Sequence, residues 1–167
     1  MVDKQKTIDK SVTVSGTGLH TGQLGQITMH SAPENHGIKF RRVDIESKPI
    51  IDADINLVVS TDRGTTLSKN GYSLYTIEHL LAAFMGLGVD NVMIDVDMEE
   101  IPIKDGSSIH FINAIKEAGI VEQKANRKYI EITEPISYII PDKNIEMLIE
   151  PAEKFSATVT IDFEAEI

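Results

Sequence analysis

The chain has 167 residues, 41% of them hydrophobic and 25% charged, which suits one folded domain or one domain plus part of another. It contains no Cys, so a disulfide framework and a thiolate zinc site are excluded, and any metal must be held by His and carboxylates. The formal net charge of −10 argues against non-specific binding to nucleic acid or to an anionic membrane surface.

Most of the first 75 residues read as strands joined by turns. Ser11-Val12-Thr13-Val14-Ser15 alternates, and Gly16, Gly18 and Gly22 then punctuate a loop that carries His20. Gln26-Ile27-Thr28-Met29-His30 and Ile38-Lys39-Phe40-Arg41-Arg42-Val43 alternate in the same way, and residues 50–59 are expected to hold one more strand. Asn70-Gly71 between two short apolar runs predicts a tight hairpin. The period then changes. Ile77, Leu80, Leu81, Phe84 and Leu87 follow a helical spacing, with Thr76 expected as N-cap and Gly88 as the stop.

A strand is expected at residues 91–96 and a second helix from Ser107 or Ser108 to Ala118, with Phe111, Ile112 and Ile115 facing inward. Residues 123–128 are polar and read as a linker or crossover. Strands are expected at 129–133, 136–140, 145–150 and 155–163, with no later helix to cover them. Either the chain is the N-terminal piece of something longer, or these strands extend the first sheet. Two basic clusters, Lys39/Arg41/Arg42 and Lys124/Arg127/Lys128, read as solvated loop or strand-edge charge. No apolar run reaches the about 20 residues needed to span a bilayer, and no signal-peptide core follows the N-terminus. The cytoplasm is the expected compartment.

Glu78-His79 puts a carboxylate and an imidazole in the first turn of the expected helix. Neighbours on a helix point about 100° apart, yet both could converge on one zinc ion, His79 as ligand and Glu78 as base toward its water. A helix start whose Glu complements the dipole is the simpler account of the pair alone. No HExxH run is present, and His20, His30, His36 and His110 carry no spacing that marks a partner. His20 could face a ligand from its glycine-flanked loop or be a solvated turn residue. Asp105-Gly106-Ser107-Ser108 reads as a turn plus N-cap. Asp162-Phe163 could bond and stack a base, but an alternating strand explains it equally.

Taken in order, Val14-Ser15-Gly16-Thr17-Gly18-Leu19-His20-Thr21-Gly22, Gly37-Ile38-Lys39-Phe40-Arg41-Arg42, Thr76-Ile77-Glu78-His79-Leu80-Leu81-Ala82-Ala83, Gly86-Leu87-Gly88-Val89-Asp90-Asn91 and Glu100-Ile101-Pro102-Ile103-Lys104-Asp105-Gly106-Ser107 resemble the zinc-dependent UDP-3-O-acyl-N-acetylglucosamine deacetylases of lipid A biosynthesis. The resemblance covers residues 5–165. It implies an α+β enzyme of sheets backed by helices, with residues 1–126 as a whole first domain and 127–167 as the opening strands of a second. It implies His79 as a Zn2+ ligand and Glu78 as the general base for attack of zinc-bound water on the 2-acetamido carbonyl, releasing acetate. His20 then borders the active site and Asp105 supports it. Lys143, Asp162 and Phe163 match positions on the nucleotide side of the UDP-linked acylated N-acetylglucosamine substrate.

The remaining zinc ligands, an oxyanion threonine and a histidine acid are expected beyond residue 167, so the chain alone is expected to bind zinc weakly and to have little or no activity. Ser108-Ile109-His110 departs from a small-residue and proline segment of the family. The competing reading is a non-catalytic α+β module that binds a sugar nucleotide or a protein. A nucleic-acid partner is disfavoured by the charge and by an aromatic content of only 5%. Self-association through exposed second-domain strands is also expected.

Overall fold

Strand β1 (Lys4–Ile8) is followed by β2 (Val12–Thr17), β3 (Leu24–Ser31), β4 (Ile38–Arg42) and β5 (Ile50–Asp52) in the computed structural model, which describes residues 3–161. Next come the short strands β6 (Val58–Ser60), β7 (Thr66–Lys69) and β8 (Tyr72–Leu74), helix α1 (Glu78–Leu87), β9 (Val92–Val96), helix α2 (Ile109–Ala118) and β10 (Ile120–Asn126). Strands β11 (Ile136–Ile140) and β12 (Ile145–Ile149) close the series. The chain divides into two units, Met1–Arg127 and Lys128–Ile167.

In the first unit a five-stranded sheet runs in the order β2-β3-β9-β4-β5, with β4 and β9 parallel and the other neighbours antiparallel. Alternation decides its faces. Val14, Ile27, Met29, Phe40 and Ile94 point into the core, where they join Leu80, Ala83 and Phe84 of α1 and Phe111, Ala114 and Ile115 of α2. Helix α2 packs on β2, and α1 packs on α2. The result is the expected α+β layering of helices on a sheet. The other face is polar: Asp95 receives Arg41 through two bonds of 2.6 and 2.9 Å, and His30 lies 3.1 Å from the same carboxylate. Lys39 pairs with Asp52 at 3.1 Å and Arg42 with Asp44 at 2.6 Å. The first basic cluster is therefore strand charge matched by carboxylates, but Arg42 is not solvated: it lies on the Phe40 side of β4, is buried, and also donates to the Ser73 carbonyl at 2.8 Å.

The hairpin at Asn70-Gly71 joins β7 to β8, and both residues take positive φ (54° and 83°), as a type I′ turn requires. Gly88 ends α1 with φ 67°, where any side chain is disfavoured, and its N–H reaches the Met85 carbonyl.

Several expectations fail for identifiable reasons. The region 50–59 is not one strand, because Asp54 accepts from the Asn56 N–H (2.9 Å) and turns the chain into a 3₁₀ segment, Ile55–Leu57. Thr76 is not a cap: it takes φ 59° and turns its hydroxyl to Glu100, leaving Ile77 at the cap position. Leu81, Leu87 and Ile112 are only half-buried, while Ala83, Ala114 and Ala118 fill the helix–sheet contact. The polar run 123–128 is not a linker, since Gln123, Lys124 and Asn126 belong to β10, which pairs antiparallel with β1. Amide side chains there take the place of apolar alternation: Asn91 donates to Gln5 and Gln123 at 2.9 and 2.7 Å.

In the second unit β11 and β12 form one antiparallel hairpin, Ile136 opposite Ile149, through the turn Pro141–Lys143. Residues 129–133 and 155–161 are not strands. Tyr138, Ile139, Met147 and Leu148 are exposed. No helix among the described residues is long and apolar enough to cross a membrane.

Candidate active site

Glu78 opens α1, where the unpaired N–H groups of the first turn favour a carboxylate. Its Oε2 accepts from the Thr65 N–H at 2.9 Å. Its Oε1 lies 3.7 Å from His79 Nε2, an ion-pair distance too long for a hydrogen bond. Both side chains are about one-third exposed (37% and 29%), so solvent reaches the pair. The His79 carbonyl accepts from the Ser108 hydroxyl at 2.8 Å, which ties the start of α2 to the first turn of α1.

The glycine loop between β2 and β3 brings His20 to the same place. Gly22 takes φ 67°, and Gly18 receives no side chain because a Cβ there would sit 2.4 Å from Glu100 Oε2. His20 Nε2 bonds to the Arg63 carbonyl at 3.1 Å, which requires the proton on Nε2. Gly64 lies between the two groups. The point a Cβ would occupy there is 3.4 Å from Glu78 Oε1, 3.6 Å from Thr76 Oγ1 and 3.9 Å from His20 Nε2. A cavity of about 560 Å³ opens beside them, with His20, Arg63, Gly64, Tyr75, Thr76 and Glu99 among its walls. Glu78 and His79 are not part of that lining, but Gly64 and Thr76 connect them to it.

Glu100 was not singled out by the sequence. It is fully buried and accepts the His20 N–H, the Thr21 N–H and the Thr76 hydroxyl. Burial pushes its carboxyl up, but the His20 and Thr21 bonds outweigh that and hold it below the ordinary value. The one available signal was a carboxylate ahead of the apolar Ile101-Pro102-Ile103. The loop residues Gly64 and Thr65 also escaped notice, and Ser108, read only as a helix start, was not expected to bond to the His79 carbonyl.

Asp105 accepts the Ser107 N–H and hydroxyl at 3.0 and 2.8 Å, and His110 Nε2 lies 3.2 Å from its other oxygen. The Ser107 N–H, then its hydroxyl, holds the Asp105 carboxyl below its usual range. Asp105 therefore shapes the turn into α2. Lys143 sits exposed in the β11–β12 turn of the second unit. Asp162 and Phe163 lie outside the described residues. Among the described residues no group of three or more His, Asp or Glu side chains is gathered for a metal. The arrangement offers one anchored carboxylate with an adjacent imidazole, and a second imidazole across a glycine that lines the recess.

The chain is 43% identical over 161 residues to the UDP-3-O-acyl-N-acetylglucosamine deacetylase of Methylococcus capsulatus, covering 96% of this chain and 52% of that protein. It is 44% identical to the enzyme of the same name from Saccharophagus degradans, with the same coverage. It is also 40% identical to the bifunctional enzyme LpxC/FabZ of Bacteroides thetaiotaomicron, covering 98% of this chain and 36% of that protein. The first unit is an α+β domain, helices on a mixed sheet, with a Glu–His pair at the start of α1. Residues 5–167 match the family described as LpxC, UDP-3-O-acyl N-acetylglycosamine deacetylase, and the chain belongs to that family. It spans about half the length of the deacetylase relatives and about a third of the bifunctional one.

Proposed function

We propose that this chain carries the proton-transfer half of a zinc-dependent amide hydrolase. Its substrate is UDP-3-O-acyl-N-acetylglucosamine, from which it removes the N-acetyl group in lipid A biosynthesis. The observation that carries the reading is the Glu78 carboxylate, one oxygen held by the Thr65 N–H and the other free toward His79 and the recess. Glu78 takes the proton of the attacking water, and it returns a proton to the departing amine nitrogen as the C–N bond breaks and acetate leaves.

His79 fits as one zinc ligand, through a ring that is partly exposed and close to the base. The remaining ligands, which the family resemblance places on later chain of relatives about twice as long, are not supplied by the described residues. A bound zinc ion would supply Lewis acidity toward water and the acyl oxygen. His20 borders the sugar from its loop, and Asp105 supports the start of α2. Lys143 meets the diphosphate, with Asp162 and Phe163 on the uracil side. Residues 1–126 form the first domain of this enzyme and 127–167 begin its second. By itself the chain has little or no activity, and its compartment is the cytoplasm.

The test is acetate release from the UDP-linked substrate with zinc supplied. It compares this chain, a form extended by the downstream residues of its gene, and the extended form with Glu78→Ala. Activity in the extended wild type alone supports the reading. A folded but inactive extended wild type sinks it and favours the alternative, a non-catalytic module that binds a sugar nucleotide or a protein in the recess near His20.

A further inference from the structure

Glu100 is fully buried, and its hydrogen-bond partners among the described residues are donors. The His20 N–H lies 2.9 and 3.1 Å from its two oxygens, the Thr21 N–H 2.8 Å from Oε2, and the Thr76 hydroxyl 3.0 Å from Oε1. An ionised carboxylate accepts at all of these positions, whereas a neutral acid or amide would set a donor against donors. No ion pair with a Lys, Arg or His offsets the charge among the described residues. A buried charge held only by neutral donors is an expensive way to join two segments, and an apolar contact would join them more cheaply.

The positions of the donors give it a purpose. Two belong to the loop that presents His20, and the third stands two residues before Glu78. Thr76 has φ 59°, an uncommon left-handed value for a β-branched residue, and its hydroxyl has Glu100 as its partner. The backbone reinforces the arrangement. The Tyr75 N–H reaches the Glu99 carbonyl at 2.8 Å, the Ile101 N–H reaches the Tyr75 carbonyl at 3.1 Å, and the Ile103 N–H reaches the Thr17 carbonyl at 3.1 Å. Residues 99–103 are thus laced to both sides of the site.

We propose that Glu100 is a positioning residue for the reaction: its carboxylate fixes the His20 loop and the entry to α1 at the spacing that sets His20 against Glu78. This rests on the deacetylase reading given above. Glu100 touches neither substrate nor zinc in this proposal, and acts through the Thr76 hydroxyl and the His20 and Thr21 amides.

The experiment uses the extended form of the protein and the variants Glu100→Gln, Thr76→Val and Thr76→Ser. Ile115→Val in α2 serves as a control for stability loss alone. Backbone hydrogen exchange is read first, because it does not depend on activity. Glu100→Gln should speed exchange at the His20 and Thr21 amides by at least about tenfold, while the β3 and β9 amides hold their wild-type rates. It should lower kcat by about 100-fold with little change in KM, since misplacement by about 1 Å has that effect.

Thr76→Val should lower kcat by about tenfold, and Thr76→Ser, which keeps the hydroxyl, should recover most of that loss. This pair decides the matter if Glu100→Gln does not fold. Unchanged exchange at His20 and Thr21 overturns the proposal. So does a kcat loss no greater than that of Ile115→Val, or a Thr76→Ser as impaired as Thr76→Val. An inactive extended wild type defeats the deacetylase reading, and with it the positioning role of Glu100 in that reaction. Fast loop exchange would then show only that Glu100 holds a ligand-binding loop.

Discussion

The junction around Glu100 and the β11–β12 hairpin use opposite chemistry. At the junction, Glu100 is buried and meets three donors, the His20 and Thr21 N–H groups and the Thr76 hydroxyl. In the hairpin, Tyr138, Ile139, Met147 and Leu148 are apolar or aromatic and stay exposed. The junction is built from loop and bend residues outside the named strands, whereas the hairpin alternates as strands should. The difference shows that alternation sets which residues share a face, while burial depends on whether another element covers that face.

The comparison can be broken most forcefully at the base. Glu78→Ala in the extended protein should lower acetate release by about 100- to 10,000-fold with the melting temperature nearly unchanged, because the side chain is partly exposed. A stability loss as large as the activity loss would make Glu78 a structural residue. Phe84→Ala, at a fully buried site in α1, should cost about 3–5 kcal/mol in urea unfolding followed by circular dichroism. Asn91→Ala, which strands the Gly37 N–H and the Gln123 amide oxygen while Gln5 Oε1 keeps the Asn35 N–H, should cost about 1–3 kcal/mol by the same measurement.

Acid should weaken the first unit next. Arg42 holds Asp44 below its ordinary range, and Lys69 does the same for Asp52. Burial raises Asp95 and Glu100, but Arg41 in one case and backbone N–H groups in the other bring both below their ordinary values. Groups with depressed folded values contribute stability above the unfolded value and lose it as pH falls through the folded one. Melting temperature should therefore be flat near neutrality and fall below about pH 4. A flat profile down to pH 2 would contradict the network.

The smallest effect is expected in the hairpin. Tyr138→Ala should change stability by no more than about 0.5 kcal/mol. If the exposed strands drive self-association, Ile139→Lys with Met147→Lys should shift light scattering toward monomer. A wild-type chain already monodisperse as a monomer would count against that.

The readable parts of this chain were those whose cause is local. The Asn70-Gly71 hairpin, the β2, β3 and β4 alternation and the α1 period all follow from residues within one turn or strand of each other. The Glu78-His79 pair was visible for the same reason, since its members are adjacent. Strand β10 was not readable, because its central inward side chain is the amide of Gln123, whose partners stand 32 and 91 residues away in sequence, at Asn91 and the Ala32 carbonyl. The role of Thr76 was missed because a threonine before a helix satisfies the local capping rule equally well.

By itself the sequence determined the α+β class, the family and the neighbourhood of the Glu–His pair, because periodicity and contiguous motifs survive without knowledge of tertiary contacts. Only the tertiary structure decided which carboxylate is buried. Glu100 and Glu99 are adjacent and chemically identical, yet one lines the recess and the other anchors the His20 loop. Burial of a charge depends on donors delivered by distant chain, here from residues 20, 21 and 76, and no local pattern encodes their convergence.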